Sequence, residues 1–160
     1  MVNYQESVDM GKKGEVIVCD WLKTLGYELT PYTDELSQLQ KGDVKATNDM
    51  NSVNVEIKTD NTDYTNFFLE TWSNKPVKRG WLYQLTECDY LCYYFIKREE
   101  LYIMEMQYGL RQWYYERGHV YEKNEVKQKV CDQPNEAWGI PVPVKTIDEE
   151  VGYKFYRLNS

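Results

Sequence analysis

Alternating apolar and polar residues mark two short segments that flank a turn-rich stretch in the first half of the chain. Every second residue of 53–57 is apolar, and residues 43–47 form a similar run just before. The link between them, Asn48-Asp49-Met50-Asn51, is rich in turn-forming residues. The pattern therefore predicts a β-hairpin whose loop is the four residues 48–51.

The hairpin has a definite register if Thr47 closes on Ser52, because the numbers of paired residues then add to 99. Asp43 lies opposite Glu56 in this register, with Cβ atoms roughly 5 Å apart. Lys58 follows two residues later and points from the same face, about 7 Å along the strand. Two carboxylates and one amine are thus predicted on one patch of sheet, where the carboxylates repel each other unless a cation lies between them.

Hydrophobic spacing predicts the elements on either side of this hairpin. Residues 7–25 keep a helical spacing of apolar side chains and end before Gly26, which predicts an amphipathic helix whose regular part begins near Gly14. Aromatic and β-branched residues at 64–72 predict a third strand, in which Glu70 is an isolated acid.

The rest of the chain alternates short predicted helices and strands. Prolines in 137–144 predict an edge segment or a wall there, not a central strand. The other predicted elements are a short strand at 27–29, a polar loop at 30–41, a short helix at 81–86, a buried central strand at 90–96, a strand at 99–104 that pairs with it, a helix at 107–117 and a last strand at 153–158.

Length and charge limit the classes of protein that fit. A chain of 160 residues is most simply one domain with a sizeable core. The net charge of −7 counts against a generic nucleic-acid binder, which is usually basic, but a metal-dependent nuclease concentrates carboxylates at its site. A nucleic-acid surface must then be local. The densest positive stretch is the loop 73–80, with Lys75, Lys78 and Arg79, which is either a phosphate-contacting loop or a solvated one.

Other classes of site and location find little support in the sequence. The first residues lack the apolar stretch of a secretory leader, and no segment approaches the roughly 20 apolar residues of a membrane span. The four cysteines form no Cys-x-x-Cys pair and His119 is the single histidine, which argues against zinc or iron–sulfur sites. Reduced thiols in the cytoplasm are the expectation.

The group Asp43 and Glu56-Ile57-Lys58 resembles the signature of the PD-(D/E)XK nuclease superfamily, which has the restriction-endonuclease-like fold. Gly42 stands where the pattern often has proline. An acid-x-Lys triplet also occurs at 43–45 and 125–127, but only the triplet 56–58 lies on an apolar strand at hairpin distance from a Gly-Asp pair. The competing interpretation is a surface hairpin with solvated charges.

The resemblance implies an α/β fold in which an αβββαβ core with a mixed central sheet spans about 7–96 and a C-terminal elaboration spans about 97–160 of a single domain, 1–160. It implies Mg²⁺ or Mn²⁺ held by Asp43, Glu56 and the Ile57 carbonyl. Lys58 would orient or deprotonate the attacking water. A first-helix acid, Glu15 with Glu6 as the fallback, would hold a metal-bound water.

The resemblance also implies a nucleic-acid partner, with DNA as the expectation and RNA left open, as in phage nucleases and Holliday-junction resolvases. A homodimer is left open too. The expected substrate-binding residues are Gln40, Lys41, Glu70, Lys75, Lys78 and Arg79. The alternative from another class is a catalytically silent module that binds DNA or protein on the same fold, against which the intact acidic pair and lysine argue.

Overall fold

The computed structural model describes residues 2–128, 130–131 and 137–158. The strands are β1 (Val2–Asn3), β2 (Glu28–Pro31), β3 (Val44–Thr47), β4 (Ser52–Asp60), β5 (Asn66–Asn74), β6 (Lys78–Arg79), β7 (Tyr90–Phe95), β8 (Glu100–Glu105), β9 (Val126–Lys127), β10 (Val130–Cys131), β11 (Trp138–Pro143) and β12 (Lys154–Arg157). The α-helices are α1 (Tyr4–Thr24), α2 (Glu35–Lys41), α3 (Trp81–Gln84), α4 (Gln112–Glu116) and α5 (Val144–Glu150), with a π-helical segment Met106–Arg111 and a 3₁₀ segment Gly118–Asn124.

A mixed six-stranded sheet forms the centre of the molecule, in the order β12-β8-β7-β4-β3-β2. Strands β4 and β7 pair in parallel, and the other neighbours pair antiparallel. The predicted α/β class with a mixed sheet is therefore confirmed. Within the described residues, no helix has the length and apolar character needed to cross a bilayer.

The predicted hairpin is present with the predicted register. Val44 pairs with Val55 and Thr47 with Ser52, so the numbers of paired residues add to 99. The side chain of Asn48 closes the loop, because its Oδ1 accepts hydrogen bonds of 2.9 Å from the backbone N–H groups of Met50 and Asn51. Local turn chemistry thus sets which residues of β3 and β4 face each other.

Strand β5 belongs to a second, four-stranded sheet with the order β6-β5-β11-β9. The prediction that 137–144 would be an edge segment is wrong for the start of β11, which lies between β5 and β9. The reason is local. Strand β9 pairs only with Trp138 and Gly139 of β11. Pro141 and Pro143 have no partner in β9, so their missing N–H groups remove no hydrogen bond between these two strands.

Helix α1 begins at Tyr4, well before the expected regular start near Gly14, and its end at Thr24 is followed by Gly26 with φ of +93°. Gly14 packs directly on β4, since a Cβ there would overlap the Thr59 side chain. The missing side chain at residue 14 therefore allows a close approach that brings the next residue, Glu15, to the sheet.

A short helix replaces part of the predicted polar loop. Helix α2 begins after Asp34, whose side chain accepts a hydrogen bond of 2.9 Å from the backbone N–H of Ser37. The prediction of a loop throughout 30–41 is therefore wrong. Its polar composition hides a capped helix, because an N-cap acid satisfies N–H groups that a loop would leave to water.

The two faces of the mixed sheet are covered differently. One core packs α1 against β3 and β4 through residues such as Val18, Val44 and Val55. The other core lies between the mixed sheet and the second sheet and is rich in aromatic rings. The Tyr93 hydroxyl connects the two sheets, because it donates to Asp60 Oδ2 at 2.6 Å and accepts from the backbone N–H of Phe68 at 3.0 Å.

Candidate functional site

The site begins at Asp43, where the chain enters β3. The preceding Gly42 has φ of +108°, and a Cβ there would lie 2.8 Å from the Val55 carbonyl oxygen, so only glycine fits this turn. The Asp43 N–H donates to that same carbonyl at 2.9 Å, and Asp43 Oδ2 accepts from the Ile57 N–H at 2.7 Å. These two bonds fix the Asp43 carboxylate against β4.

Glu56 lies beside Asp43, as the register requires. Burial raises the pKa of the Glu56 carboxyl well above its usual range, and the negative charge of Asp43 and a hydrogen bond to it raise it further. The positive charge of Lys58 acts in the opposite direction. The two acids are thus close enough to repel each other in the absence of a cation.

Lys58 lies half-buried on the same face of β4 as Glu56, near the acids Asp43 and Glu70. Burial by itself lowers the pKa of the ammonium, but the carboxylates of Glu70, Glu56 and Asp43 together outweigh it and raise the pKa above its ordinary value. The amine is therefore positively charged at neutral pH. Its charge offsets part of the negative charge that the acids bring into the cleft.

Glu15 approaches the pair from α1. Burial, followed by the charge of Asp43, raises the pKa of Glu15. The fallback candidate, Glu6, is an exposed residue in the first turn of the same helix. The structure therefore places Glu15 near Asp43, which follows from the close packing at Gly14.

A cleft of about 150 Å³ opens between the two sheets at this point. Glu56 and Lys58 line it from β4, and Glu70 lines it from β5. Glu70 Oε1 also accepts a hydrogen bond of 3.1 Å from the Trp81 N–H, so the same carboxylate holds the start of α3 and faces Lys58. The acid that seemed out of place in an aromatic strand thus belongs to the cleft.

The α2 wall of the cleft consists of Gln38 and Leu39. The predicted substrate residues next to them make other contacts: the Gln40 carbonyl accepts from the Glu87 N–H at 2.8 Å, and the Lys41 ammonium lies 5.6 Å from the Tyr32 ring centroid. Sequence reasoning missed Gln38 and Leu39 because it placed no helix here.

The predicted basic loop divides into two parts. Lys75 lies in the turn between β5 and β6 and forms an ion pair. Its Nζ lies 2.7 Å from Glu125 Oε1 and 4.3 Å from the Trp138 ring centroid. The other carboxylate oxygen of Glu125 accepts from Thr71 at 2.8 Å. Lys78 and Arg79, by contrast, line the cleft.

Replacing Lys75 by Met is expected to lower the free energy of unfolding by about 1–3 kcal/mol, because the largely buried Glu125 loses its charged partner. Thermal or urea unfolding measures this. The control is Lys145→Met, which removes an exposed lysine 3.9 Å from Glu149 and should change stability by less than about 0.5 kcal/mol. Equal stability of the two variants would show that the Lys75–Glu125 pair contributes nothing.

The donor set at Asp43 and Glu56 consists of hard oxygen ligands. The Ile57 carbonyl adds another, because it points to the same side of β4 as the Ile57 N–H that meets Asp43. Across residues 2–128, 130–131 and 137–158, no three His, Cys, Asp or Glu side chains form a metal-binding group. Two carboxylates and one backbone oxygen remain, a set that fits Mg²⁺ or Mn²⁺ with water completing the shell.

Comparison with known proteins adds one partial structural likeness. No protein-family model matches the chain, and no curated protein does. The solved structure of a bacterial homing endonuclease, I-Ssp6803I, overlaps 66% of this chain and 67% of its own, with a TM-score of 0.44 and 13% sequence identity. At these values, the functional assignment depends on the residues of the cleft themselves.

Proposed function

We propose that this protein is a metal-dependent nuclease that hydrolyses phosphodiester bonds of DNA. The observation that carries the proposal is the hairpin, which sets Asp43 against Glu56, while Glu56 and Lys58 line one cleft from β4. Paired acids with an adjacent amine on neighbouring strands serve a reaction in which a phosphorus centre gains negative charge and water must be positioned.

The roles follow from where each group lies. Asp43, Glu56 and the Ile57 carbonyl would hold Mg²⁺ or Mn²⁺, which supplies Lewis-acid stabilisation of the phosphate and acidifies bound water. Lys58, held by carboxylates on both sides of the cleft, would donate hydrogen bonds to the attacking water and to the phosphate oxygens. Glu15 would orient water from the α1 side, because it lies near Asp43.

The substrate class follows from the cleft's two walls. Lys78 and Arg79 line the cleft on β6 and Glu56 lines it on β4, so an anionic substrate would be drawn to the cations and meet this acid across the cleft. The net charge of −7 makes this local positive wall more important than it would be in a basic protein.

A substrate panel tests the proposal. Plasmid, linear duplex, single-stranded and branched DNA, and a matched RNA, are incubated with the protein in Mg²⁺, Mn²⁺ or EDTA. Cleavage of at least one DNA with metal and none with EDTA is the expected result. Cleavage confined to RNA would reassign the substrate, and binding without cleavage in any metal would favour the silent binding module.

Millimolar Mn²⁺ or Mg²⁺ is expected to raise the melting temperature of the wild-type protein, because the hairpin site exists only in the folded state. At a metal concentration about 100 times Kd, the gain in unfolding free energy is about 2.7 kcal/mol. Differential scanning fluorimetry or calorimetry measures the shift. It should be absent in Asp43→Asn, and a wild-type melting curve that does not respond to either metal would contradict the metal site.

A further inference from the structure

We propose that Arg79 is a preset guanidinium clamp that binds the two non-bridging oxygens of a phosphodiester in the cleft. The inference rests on the proposed function for the identity of the ligand, but its geometry is independent of the acidic pair. This geometry distinguishes Arg79 from the other two cations of the basic loop. Lys75 is paired with Glu125, and Lys78 has no planar guanidinium.

Two aromatic rings pack against the Arg79 guanidinium. Its central carbon lies 4.1 Å from the Trp72 ring centroid and 3.5 Å from the Tyr83 ring centroid. Trp72 pairs with Arg79 across β5 and β6, and Tyr83 belongs to the helix that starts just after it. Rings from two elements therefore hold the group at the wall of the cleft.

The edges of the same guanidinium are not used within the described residues. Its nearest acid is Glu122, whose Oε1 lies 4.0 Å from Nη2, beyond hydrogen-bond distance. That oxygen accepts hydrogen bonds from the hydroxyls of Tyr83, at 2.7 Å, and of Tyr114. Glu122 is thus hydrogen-bonded to the two tyrosines, and it interacts with Arg79 only through its charge at 4.0 Å.

Other arginines of the chain show how unusual this is. The Nε of Arg111 donates to the Leu82 carbonyl and its Nη1 donates to Gln107. Each of the remaining three donates at least one hydrogen bond of 3.0–3.2 Å to a carboxylate or a backbone carbonyl. Arg79 combines packing against two rings with N–H donors that no described acceptor occupies.

Such an arrangement suits a tetrahedral oxyanion. A guanidinium offers parallel N–H pairs that match two oxygens of a phosphate, and stacking fixes its orientation before the ligand arrives. Less side-chain freedom is lost on binding, which favours affinity. Lys78 has the same charge, but it lacks both the paired N–H donors of a guanidinium and the packing against aromatic rings. It therefore serves as the matched control in the same cleft.

The competing explanation is structural: Arg79 would only hold β5 and α3 together by packing against Trp72 and Tyr83. The two explanations differ in what happens to the N–H groups when nucleic acid is added. A structural residue keeps its environment, whereas a clamp gains hydrogen bonds at its edge. They also differ in what Arg79→Lys does, since lysine keeps the charge and loses the fork.

The experiment uses the full chain and a short duplex DNA, with EDTA present so that no strand is cut. Nuclear magnetic resonance follows the Nε–H signals of the arginines, and Arg79→Gln identifies the signal of Arg79. Binding is measured by fluorescence anisotropy as a function of salt for the wild type, Arg79→Gln, Arg79→Lys and Lys78→Gln. Melting temperatures are recorded for all four.

Saturating DNA is expected to shift the Arg79 Nε–H signal more than any other arginine signal. Arg79→Gln should lower the slope of log affinity against log salt by about 0.9 on duplex DNA, the value for one lost phosphate contact. Arg79→Lys should leave the slope almost unchanged yet weaken binding roughly tenfold, about the value of one good bidentate contact. Lys78→Gln should leave the Arg79 signal shift intact.

An Arg79 signal that stays in place while DNA binds would overturn the clamp, as would equal affinities for Arg79→Lys and the wild type. Titration with inorganic phosphate alone distinguishes a general oxyanion site from one that requires the nucleic-acid backbone. A shift of the Arg79 signal with either ligand supports binding of an oxyanion by its N–H groups. Because none of these readouts needs cleavage, a clamp without nuclease activity and a nuclease without a clamp give different results.

Discussion

Asp43→Asn and Glu56→Gln are each expected to abolish metal-dependent cleavage while leaving the protein folded. Both acids sit at the point where the β3–β4 register brings them together, and each would supply an oxygen ligand. Losing a ligand removes stabilisation made in the transition state, and a fall of roughly a thousandfold or more in cleavage rate is expected. A nuclease assay at saturating Mg²⁺ measures it.

The same two substitutions should not destabilise the metal-free protein. Each removes one of two facing, half-buried carboxylates, so the melting temperature should hold or rise. Asp49→Asn is the matched control, because Asp49 lies in the exposed loop of the same hairpin and takes no part in the site. Full activity in Asp43→Asn or Glu56→Gln would remove the basis of the metal-site assignment.

Lys58→Met is expected to damage both activity and stability. The half-buried amine lies among three acids, and removing it leaves their negative charge uncompensated. Removing the charged partner of such a cluster costs about 1–3 kcal/mol, and the loss of its hydrogen bonds to the reacting groups should lower the cleavage rate by about 10²–10³. Urea unfolding and the nuclease assay measure the two effects.

Lys45→Met provides the control, since Lys45 belongs to the neighbouring acid-x-Lys triplet but is exposed on β3. It should change stability by less than about 0.5 kcal/mol and leave cleavage unchanged. The double variant Glu56→Gln/Lys58→Met should recover part of the lost stability, because it removes one acid together with the amine. A Lys58→Met protein as stable as the wild type would show that the amine is not held by the acids.

The parts of the fold that sequence reasoning found are those set by near neighbours in the chain. The hairpin follows from its loop residues and from the alternation of β4, and the central strand β7 follows from its continuous apolar run. The helix α1 follows from its periodic apolar face and its glycine end. In each case a short window of sequence contains the physical cause.

The parts that it missed depend on distant segments. Strand β5 pairs with β11, about seventy residues further along, and nothing within either segment specifies that partner. Glu125 lies fifty residues from Lys75, so the lysine looked free for phosphate. The stack around Arg79 likewise needs the positions of β5, β6 and α3 together. Helix α2 was missed for a local reason, its polar composition, and helix α5 was missed as well.

The division of the cleft between two sheets has a consequence for how such a protein can diversify. Asp43, Glu56 and Lys58 come from one contiguous hairpin in the mixed sheet, while Glu70 and Arg79 come from the second sheet and Trp81 from the helix that follows it. Substitutions of Arg79 would change which substrates are held without altering Asp43, Glu56 and Lys58. The reaction and the range of substrates could then evolve separately, because a change in one would have little effect on the other.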